Sequence, residues 1–419
     1  MDPDPSELSG GKTRQTVRRG KREMEKMGKK QKCILLLGPT ATGKTAFAVR
    51  LAASLGAEII SADSRQVYRG LDIGSGKDLS EYVLPDGTRI PYHLLDVADP
   101  ALNYSLADYL HDVGDALGII RSHGSIPFFA GGTALYIHAL LNDYELCGFA
   151  PDPGERAHLR SLSLPELREL LSSLDPSAPV LQHEASNPYR LIRKIEQVRA
   201  RLRGIPSAGE HPLPDLDFLV LGLYRDRAEV RSRIEQRLDA RLNGTENMIA
   251  ETERLHADGI SWERLESFGL EYRETALFLQ DRVSFDEMRK SLLAKIRQFA
   301  KRQDSWFRKL EREGVDIHWF RPEEAENALA LCRDYLEERG VLPPPAFRLS
   351  ETYYGPVSSF PGGVSFSPRK ENGGNASSLK KTLIPSEKGT DEANARFRKE
   401  REGKRTHERR KRRNLTLRG

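Results

Sequence analysis

Short apolar runs alternate with amphipathic stretches from residue 33 to about residue 145. Four of the runs have the length and flanking residues of buried strands, at 33–37, 58–61, 93–97 and 126–130. Segments with helical spacing lie between or after them, at 44–55, 105–122 and 133–142. Because strands that alternate with helices form parallel sheets covered on both faces, this pattern predicts an α/β fold.

Helical spacing dominates the chain beyond this region. The pattern predicts three charged, amphipathic helices, at 154–162, 165–174 and 187–203. A single strand at 218–223 then returns to the sheet, and helices follow from 226 to 313. We therefore predict an all-helical insertion at 150–213 within an α/β catalytic domain, which comprises 33–149 and 214–345.

The net charge of +5 over 419 residues arises at the two ends of the chain. Residues 1–32 carry a net +5 and residues 366–419 a net +10, which leaves −10 for the middle of the chain. Both ends are rich in Lys, Arg, Ser, Gly and Asn and poor in apolar residues. They are expected to be disordered, as an N-terminal extension (1–32) and a C-terminal tail (346–419). A nucleic-acid site in the folded core would then be a local patch.

Composition excludes several classes of protein. The three cysteines, Cys33, Cys147 and Cys332, are too few for a disulfide framework and too widely spaced for a zinc site. No apolar stretch is long enough to span a membrane. We expect a cytoplasmic protein that acts as a monomer and does not associate with membranes.

A complete phosphate-binding loop follows the first predicted strand. It has the pattern of two glycines with four residues between them, followed by lysine and threonine: Gly38, Pro39, Thr40, Ala41, Thr42, Gly43, Lys44 and Thr45. Backbone amides and a helix N-terminus can bind phosphate oxygens here, Lys44 can neutralise charge and the Thr45 hydroxyl can hold Mg²⁺. The sequence thus predicts a phosphorylated ligand with Mg²⁺ as cofactor.

Further residues with reactive or polar side chains come at or just after the ends of other predicted strands. Asp63 follows the second strand, Asp96 lies near the end of the third, and Thr133 follows the fourth with Gly131 and Gly132 before it. Ligands of parallel sheets bind at the carboxyl ends of the strands. These residues are therefore expected on the same rim as the phosphate loop.

Five motifs, in this order along the chain, resemble those of the tRNA dimethylallyltransferases. They are GPTATGKT (38–45), IISADSRQVYRGLDIG (59–74), HLLD (93–96), GGTALY (131–136) and RQFAKRQ (297–303). The resemblance implies transfer of a dimethylallyl group from dimethylallyl diphosphate to N6 of tRNA adenosine 37, next to the anticodon. The phosphate loop would then hold a diphosphate leaving group.

The resemblance also implies catalytic roles for four residues. Asp63 would accept a hydrogen bond from the adenosine N6, and a carboxylate there can act as the base; capping of a turn is the alternative for an Asp after a strand. Thr40 would donate to the bridging oxygen of the donor and Lys44 would bind its diphosphate. Arg273 would bind the diphosphate or order the site.

The tRNA contacts implied by the resemblance are spread over three regions: Asp63, Ser64, Arg65, Gln66 and Thr133 on the rim; Arg156, Arg190 and Arg193 in the insertion; and Arg297, Lys301 and Arg302 on the last long helix. For the arginines of the insertion, a solvated basic face is the alternative. On the long helix, a stripe with three-four spacing is predicted to face the core: Ile296, Phe299, Gln303, Trp306 and Leu310.

Three other functions remain open at this point. A small-molecule kinase would explain the phosphate loop and leave the helical insertion without a role. Prenyl transfer to a free adenine nucleotide would keep the chemistry and change the acceptor. An RNA-binding protein with a degenerate loop is the non-enzymatic alternative, and the intact Lys44, Thr45 and Asp63 argue against it.

Overall fold

A computed structural model describes residues 30–142, 152–177, 185–205 and 213–352 of the chain. Its centre is a parallel sheet of six strands in the order β3-β2-β4-β1-β5-β6. The strands are β1 (Gln31–Leu37), β2 (Ala57–Ala62), β3 (Tyr92–His93), β4 (Ile126–Gly131), β5 (Leu216–Leu223) and β6 (His318–Phe320). The predicted α/β class is confirmed.

Helices follow or connect the strands, as parallel pairing requires. Those before the insertion are α1 (Lys44–Leu55), α2 (Leu106–His123) and α3 (Ala134–Leu141). The insertion holds α4 (Pro153–Ser161), α5 (Leu164–Leu174) and α6 (Pro188–Leu202). The remainder are α7 (Arg227–Asn243), α8 (Met248–Ala257), α9 (Trp262–Ser267), α10 (Leu270–Leu279), α11 (Phe285–Arg312), α12 (Ala325–Glu337) and α13 (Leu349–Thr352). Two apolar cores, one on each face of the sheet, bury β1 completely from Cys33 to Leu37.

The register of the central strands determines where the site forms. Leu36 of β1 pairs with Ala130 of β4, and Ala62 at the end of β2 pairs with Gly131. The carboxyl ends of the three strands therefore lie at one edge of the sheet. The loops that follow β1, β2 and β4 must meet there, whatever their separation in sequence.

The insertion packs around an apolar core of its own. Leu159 of α4, Leu167 and Leu171 of α5, and Leu191 and Ile195 of α6 are all buried in it. All three helices were predicted from the sequence. The segments that would join them to the sheet, 143–151 and 206–212, lie outside the described residues, so the domain boundaries stay predictions.

Three elements differ from the sequence-based expectation. The strand expected at 93–97 ends at His93, because Leu94 and Asp96 adopt left-handed conformations (φ 63° and 57°) that turn the chain. Strand β6 was not predicted, since three residues are too short for a periodic signal. In α11 the buried stripe passes through Phe307; Phe299 is 38% exposed, so its predicted core position is wrong.

No helix in the described part of the chain is long and apolar enough to cross a membrane. The two basic ends, 1–29 and 353–419, lie outside the described residues. The expectation that they are disordered therefore stays a prediction. It is wrong at the inner boundaries, because Gln31 and Lys32 belong to β1, and Leu349 of α13 is buried.

Candidate active site

The phosphate loop connects the end of β1 to the start of α1. Gly38 lies so close to β5 that a Cβ atom there would come within 2.5 Å of the Leu223 carbonyl oxygen. Gly43 has φ 95°, a value that favours glycine, and α1 begins at the next residue. Inside the loop, the Thr42 hydroxyl and the Lys44 ammonium both donate to the Pro39 carbonyl, at 2.9 and 2.8 Å. The loop is therefore closed by its own side chains.

Side chains from other elements also hold this loop. Arg225 Nε donates to the Thr42 carbonyl at 2.9 Å, and Arg233 Nε of α7 donates to the Ala41 carbonyl at 2.8 Å. Since these arginines occupy carbonyl oxygens, they fix the peptide planes of the loop. Its shape thus depends on residues about 190 positions further along the chain.

Gln303 of α11 connects the phosphate loop to the rim after β4. Its amide oxygen accepts from the Thr40 amide at 2.8 Å, and its amide nitrogen donates to the Gly132 carbonyl at 2.9 Å. The side chain is almost fully buried. A Cβ atom at Gly132 would lie 2.5 Å from Gln303 Nε2, so glycine leaves this side chain room to make both bonds. The spacing along α11 predicted a core position for Gln303, and its polarity was the signal of a further role.

Asp63 and Thr133 meet at the ends of β2 and β4. One Asp63 oxygen, Oδ1, accepts from the Arg65 amide at 2.9 Å, so the turn-capping alternative is realised by that oxygen. Thr133 Oγ1 accepts from the Ser64 amide at 3.0 Å, and the Thr133 amide donates to the Ala62 carbonyl. These bonds lock the two rim segments together beside the phosphate loop.

Burial and a nearby carboxylate shift the pKa of Lys44 in opposite directions. Desolvation lowers the pKa of its ammonium to about 8, and the nearby carboxylate of Asp63 opposes the shift. Lys44, predicted to bind the leaving group, and Asp63, predicted to act as the base, thus interact electrostatically. A perturbed pKa in a cleft is typical of functional groups.

Oxygen donors next to Lys44 suit a hard cation. Thr45 lies near the carboxylate of Glu81, whose pKa is raised by desolvation and by neighbouring Asp78, with the Thr45 side chain opposing the shift. Hydroxyl and carboxylate oxygens, completed by water and phosphate, are the ligands that Mg²⁺ prefers. The donor set therefore fits Mg²⁺, with Thr45 as the predicted ligand and Glu81 as a second candidate that the sequence analysis missed.

A small cavity, open to solvent, lies beside Thr40. One part of its wall is charged, with Arg237 and Arg241 of α7 and Glu271 of α10. The rest is apolar, formed by Ala41, Ile234, Leu238, Met248 and Ile296. A ligand with an anionic head and a short hydrocarbon group would match both parts. The sequence signal that could have found this wall is the four-residue spacing of the arginines on α7.

Arg65 and Gln66 lie on the same rim, as the sequence predicted. Among the described residues, the Gln66 side chain is joined by long hydrogen bonds, at 3.4 Å, to Ser61 and to the Gly76 carbonyl. The Arg65 guanidinium packs against the backbone at Gly269, where a Cβ would come within 2.9 Å of it. Gln66 is therefore weakly held, whereas Arg65 also has a packing role.

Arg273 is not brought into the site. It lies on the exposed face of α10, while its neighbours Glu271 and Tyr272 face the interior. Glu271, two positions earlier, lines the cavity instead. A role for Arg273 in binding diphosphate has no support from this placement.

Two arginines proposed for tRNA binding in the insertion converge on one carboxylate. Arg156 donates twice to Glu196, at 2.6 Å each, and Arg193 contacts it at 3.1 Å. Glu196 is only 5% exposed, so these bonds also stabilise the insertion. Arg190 is exposed, one turn before Arg193 on the same helix.

The three basic residues proposed on α11 all lie on its exposed side. Arg297 pairs with Glu235 of α7 at 2.9 Å, and Lys301 and Arg302 are exposed. Phe299 is exposed and lies among these basic residues. Along the helix it comes between Ile296, which lines the cavity, and Gln303, which is bonded to the phosphate loop. An exposed aromatic and cations next to the site are suited to contact a nucleic acid.

Comparisons with known proteins agree with this geometry. The family model described as IPP transferase matches residues 66–310, and the model described as isopentenyl transferase matches 31–92. The chain is 42% identical over 297 residues to tRNA dimethylallyltransferase 1 of Syntrophus aciditrophicus, covering 70% of this chain and 94% of that protein. It is 43% identical over 295 residues to tRNA dimethylallyltransferase 2 of Treponema denticola, covering 69% and 96%.

Solved structures show the same architecture. The full-length tRNA isopentenylpyrophosphate transferase of Bacillus halodurans superimposes with a TM-score of 0.53 at 29% identity, covering 74% of this chain and 98% of that chain. A eukaryotic dimethylallyltransferase acting on tRNA has a TM-score of 0.61 at 21% identity, covering 75% and 81%, and supports the fold alone. With both family models and curated relatives matched along the sheet, the phosphate loop and α11, this chain belongs to the tRNA dimethylallyltransferase (IPP transferase) family of transferases.

Proposed function

We propose that the protein transfers a dimethylallyl group from dimethylallyl diphosphate to N6 of adenosine 37 in tRNA, next to the anticodon, and releases diphosphate. The single observation that carries this proposal is the two-part cavity at Thr40, with arginines on one side and apolar side chains on the other. The names of the relatives support tRNA as the acceptor.

The donor is the ligand that this cavity fits best. Its diphosphate would lie against the loop, Lys44 and the two arginines, and its five-carbon chain against Ile234, Leu238 and Ile296. A nucleoside triphosphate would place a polar sugar against the apolar wall. The geometry therefore favours a prenyl donor over the ATP of a kinase.

Thr40 is assigned to the leaving group of the transfer reaction and Asp63 to its nucleophile. The lone pair of N6 attacks C1 of the dimethylallyl group as the bond from C1 to the bridging oxygen breaks. That oxygen leaves with the diphosphate and accepts a hydrogen bond from the Thr40 hydroxyl, because the Thr40 amide is already bonded to Gln303. The proton lost from N6 passes to a carboxylate oxygen of Asp63.

Mg²⁺ is proposed as the cofactor, with Thr45 as its protein ligand and Glu81 beside it. When bound, it neutralises part of the charge on the diphosphate. Lys44 neutralises another part while its ammonium is protonated.

tRNA is proposed to approach over the rim and the helical insertion. Ser64, Gln66 and Thr133 lie next to Asp63, where the target base would enter. Arg190, Lys301 and Arg302 are exposed and available for phosphates. Single-stranded loops, such as an anticodon loop, are the usual targets of sequence-specific RNA recognition.

The experiment is incubation of the protein with radiolabelled dimethylallyl diphosphate, Mg²⁺ and bulk tRNA, with AMP and ATP as competing acceptors. Label in tRNA, mapped to adenosine 37 by nuclease digestion, is the expected result. Label in AMP or ATP would show that the acceptor is a free nucleotide. Phosphorylation without prenylation would instead establish a kinase.

The matched variants are Asp63→Asn and Asp99→Asn. Asp63→Asn keeps the size of the side chain and its acceptor for the Arg65 amide, but removes the base, so transfer should fall by about 10²- to 10⁴-fold. Asp99 also accepts from a backbone amide in a turn, that of Ala101, outside the site. Near-normal turnover in Asp63→Asn would contradict its assignment as base.

A further inference from the structure

Three arginines form a row along one face of α7. Arg233, Arg237 and Arg241 follow one another at four-residue spacing, which places them one turn apart. Arg233 is bonded to the Ala41 carbonyl of the phosphate loop at 2.8 Å. Arg237 and Arg241 line the cavity, and neither forms an ion pair with a described residue. Two cations are thus available to an anionic ligand.

A rigid segment covers Arg241. A Cβ atom at Gly76 would lie 2.1 Å from its Nη2, so the segment passes directly over the guanidinium. The buried carboxylate of Glu251 holds this segment by accepting from three consecutive amides, those of Asp72, Ile73 and Gly74, at 3.1, 2.7 and 3.0 Å. Arg241 therefore has little freedom to leave the cavity on that side.

Glu271 lies in the same cavity wall, in the first turn of α10. Desolvation raises the pKa of its carboxyl above the usual 4.5, opposed by Arg241 and Arg65 and assisted by Asp63. Arg237 is the other charged group on this wall. The carboxyl forms no ion pair within 4 Å with a described residue. The anion-binding wall of the cavity thus contains an acidic group.

We propose that Glu271 competes with the diphosphate for Arg241, and so weakens the hold of the cavity on both the donor and the released product. In the empty cavity the carboxylate attracts the Arg241 guanidinium. When diphosphate enters, it has to draw the Arg241 guanidinium away from Glu271, which reduces the net gain on binding. Glu271 is therefore a positioning residue that acts through Arg241 and favours release of diphosphate. This inference rests on the proposed function, which supplies the diphosphate.

The test is calorimetric binding of magnesium pyrophosphate and of dimethylallyl diphosphate to the full chain and to three variants. Glu271→Gln should bind both ligands more tightly, on the order of tenfold, since Arg241 no longer has a competing carboxylate. Arg241→Met should bind them more weakly, on the order of tenfold or more. The double variant should resemble Arg241→Met. A merely structural role would weaken binding in every variant, so the opposite signs are decisive.

Two exposed residues serve as matched controls for the loss of charge: Glu263→Gln on α9 and Arg231→Met on α7, both expected to bind as wild type. In transfer assays Glu271→Gln should lower the KM for the donor and strengthen inhibition by added pyrophosphate. Its advantage should shrink as the pH falls, because a protonated Glu271 no longer competes for Arg241.

Unchanged or weaker pyrophosphate binding in Glu271→Gln would overturn the inference, as would a double variant that stays tighter than Arg241→Met. If Glu271→Gln fails to fold, Glu271→Asp, which keeps the charge, should bind as wild type; tight binding in it would contradict the competition. A wild-type chain that binds pyrophosphate but transfers no prenyl group to any acceptor would overturn the proposed function alone. Prenyl transfer with no tightening in Glu271→Gln would overturn the inference alone.

Discussion

The side-chain amide of Gln303 accepts a hydrogen bond from the backbone of Thr40 at 2.8 Å and donates one to the backbone of Gly132 at 2.9 Å. One buried side chain thereby joins the loop proposed to bind the donor to the rim proposed to bind the acceptor. It also lies on α11, whose outer face carries basic residues proposed to contact tRNA.

Replacing Gln303 tests this connection. Gln303→Met has a similar volume but leaves the Thr40 amide and the Gly132 carbonyl without partners, so it should cost about 1–3 kcal/mol of folding free energy. We expect kcat to fall about tenfold or more through misplacement of the Thr40 hydroxyl. Gln303→Glu keeps the acceptor for Thr40 and should retain more activity. Exposed Gln298→Met on the same helix is the control; equal losses in both Gln303 variants would show that the Thr40 bond is unimportant.

Gly132→Ala tests the same contact from the opposite side. Its Cβ would lie 2.5 Å from Gln303 Nε2, so the side chain must move and both of its bonds weaken. The expected cost is about 1–3 kcal/mol, measured by chemical denaturation, with a matching loss of transfer activity. Gly118 of α2 has no atom within 4 Å of such a Cβ, and Gly118→Ala should stabilise the protein by roughly 0.5–1 kcal/mol. A Gly132→Ala variant with unchanged stability and transfer activity would show that the Gln303 side chain has room to move.

The pKa of Lys44 predicts an alkaline limit on donor binding. With a pKa of about 8, the ammonium is charged below this pH and neutral above it. The kcat/KM for dimethylallyl diphosphate should therefore fall as the pH rises through about 8, since kcat/KM reports groups of the free enzyme. Lys44→Arg keeps its charge throughout, so its profile should stay flat even if its activity is lower. An alkaline fall retained in Lys44→Arg would assign the limit to another group.

A buried carboxylate away from the site predicts how the fold responds to acid. Glu58 of β2 is bonded to His93 and His123, at 2.8 Å each. Burial opposes its ionisation, but hydrogen bonds from these histidines and from Ser125 outweigh that effect and lower its pKa below 4.5. A depressed folded pKa stabilises the protein above the unfolded value, and the contribution is lost as the pH falls through the folded value.

Glu58→Gln should therefore cost about 1–3 kcal/mol at neutral pH, with the difference from wild type narrowing below pH 4.5. Denaturant titrations across this range provide the measurement. Glu169→Gln, at an exposed position, removes the same charge and should change little. A difference that stays constant into acid would mean that the charge of Glu58 contributes nothing.

Two arginines of the insertion are expected to have different roles: Arg190 should contact RNA, and Arg156 should stabilise the fold. Arg190→Met should weaken tRNA binding and reduce its salt slope by about one, with unchanged thermal stability, because its side chain is exposed. Arg156→Met should destabilise the insertion by about 1–3 kcal/mol, since it removes two bonds to buried Glu196. Filter binding at several salt concentrations and thermal melts distinguish the two. Loss of stability in Arg190→Met would contradict the division.

Local patterns were sufficient for much of this protein. Helix α1 was predicted with its observed bounds, and the phosphate loop before it forms, because strand, glycine turn and helix are encoded within some twenty consecutive residues. Asp63 and Thr133 could be placed on the same rim from the parallel pattern alone. Parallel strands all end at one edge of a sheet, so no distances were needed.

The remaining features depended on packing between distant elements. Gln303 looked like a member of a core stripe, and only the position of α11 against the loop shows both of its partners. Arg273 was assigned to the site on the resemblance, which does not reveal which face of α10 turns inward. The structure places Arg273 on the exposed face and Glu271 in the cavity wall, and it shows Arg156 bound to Glu196.

The sequence by itself thus determined the α/β fold, the phosphate loop and the family, since each is encoded in neighbouring residues or in ordered motifs. Only the tertiary structure decided which charged and amide side chains enter the cavity. Arg237, Arg241, Glu271 and Gln303 reach Thr40 from more than 190 positions away. Their approach depends on how α7, α10 and α11 pack at the edge of the sheet, a sum of many weak contacts that no local pattern records.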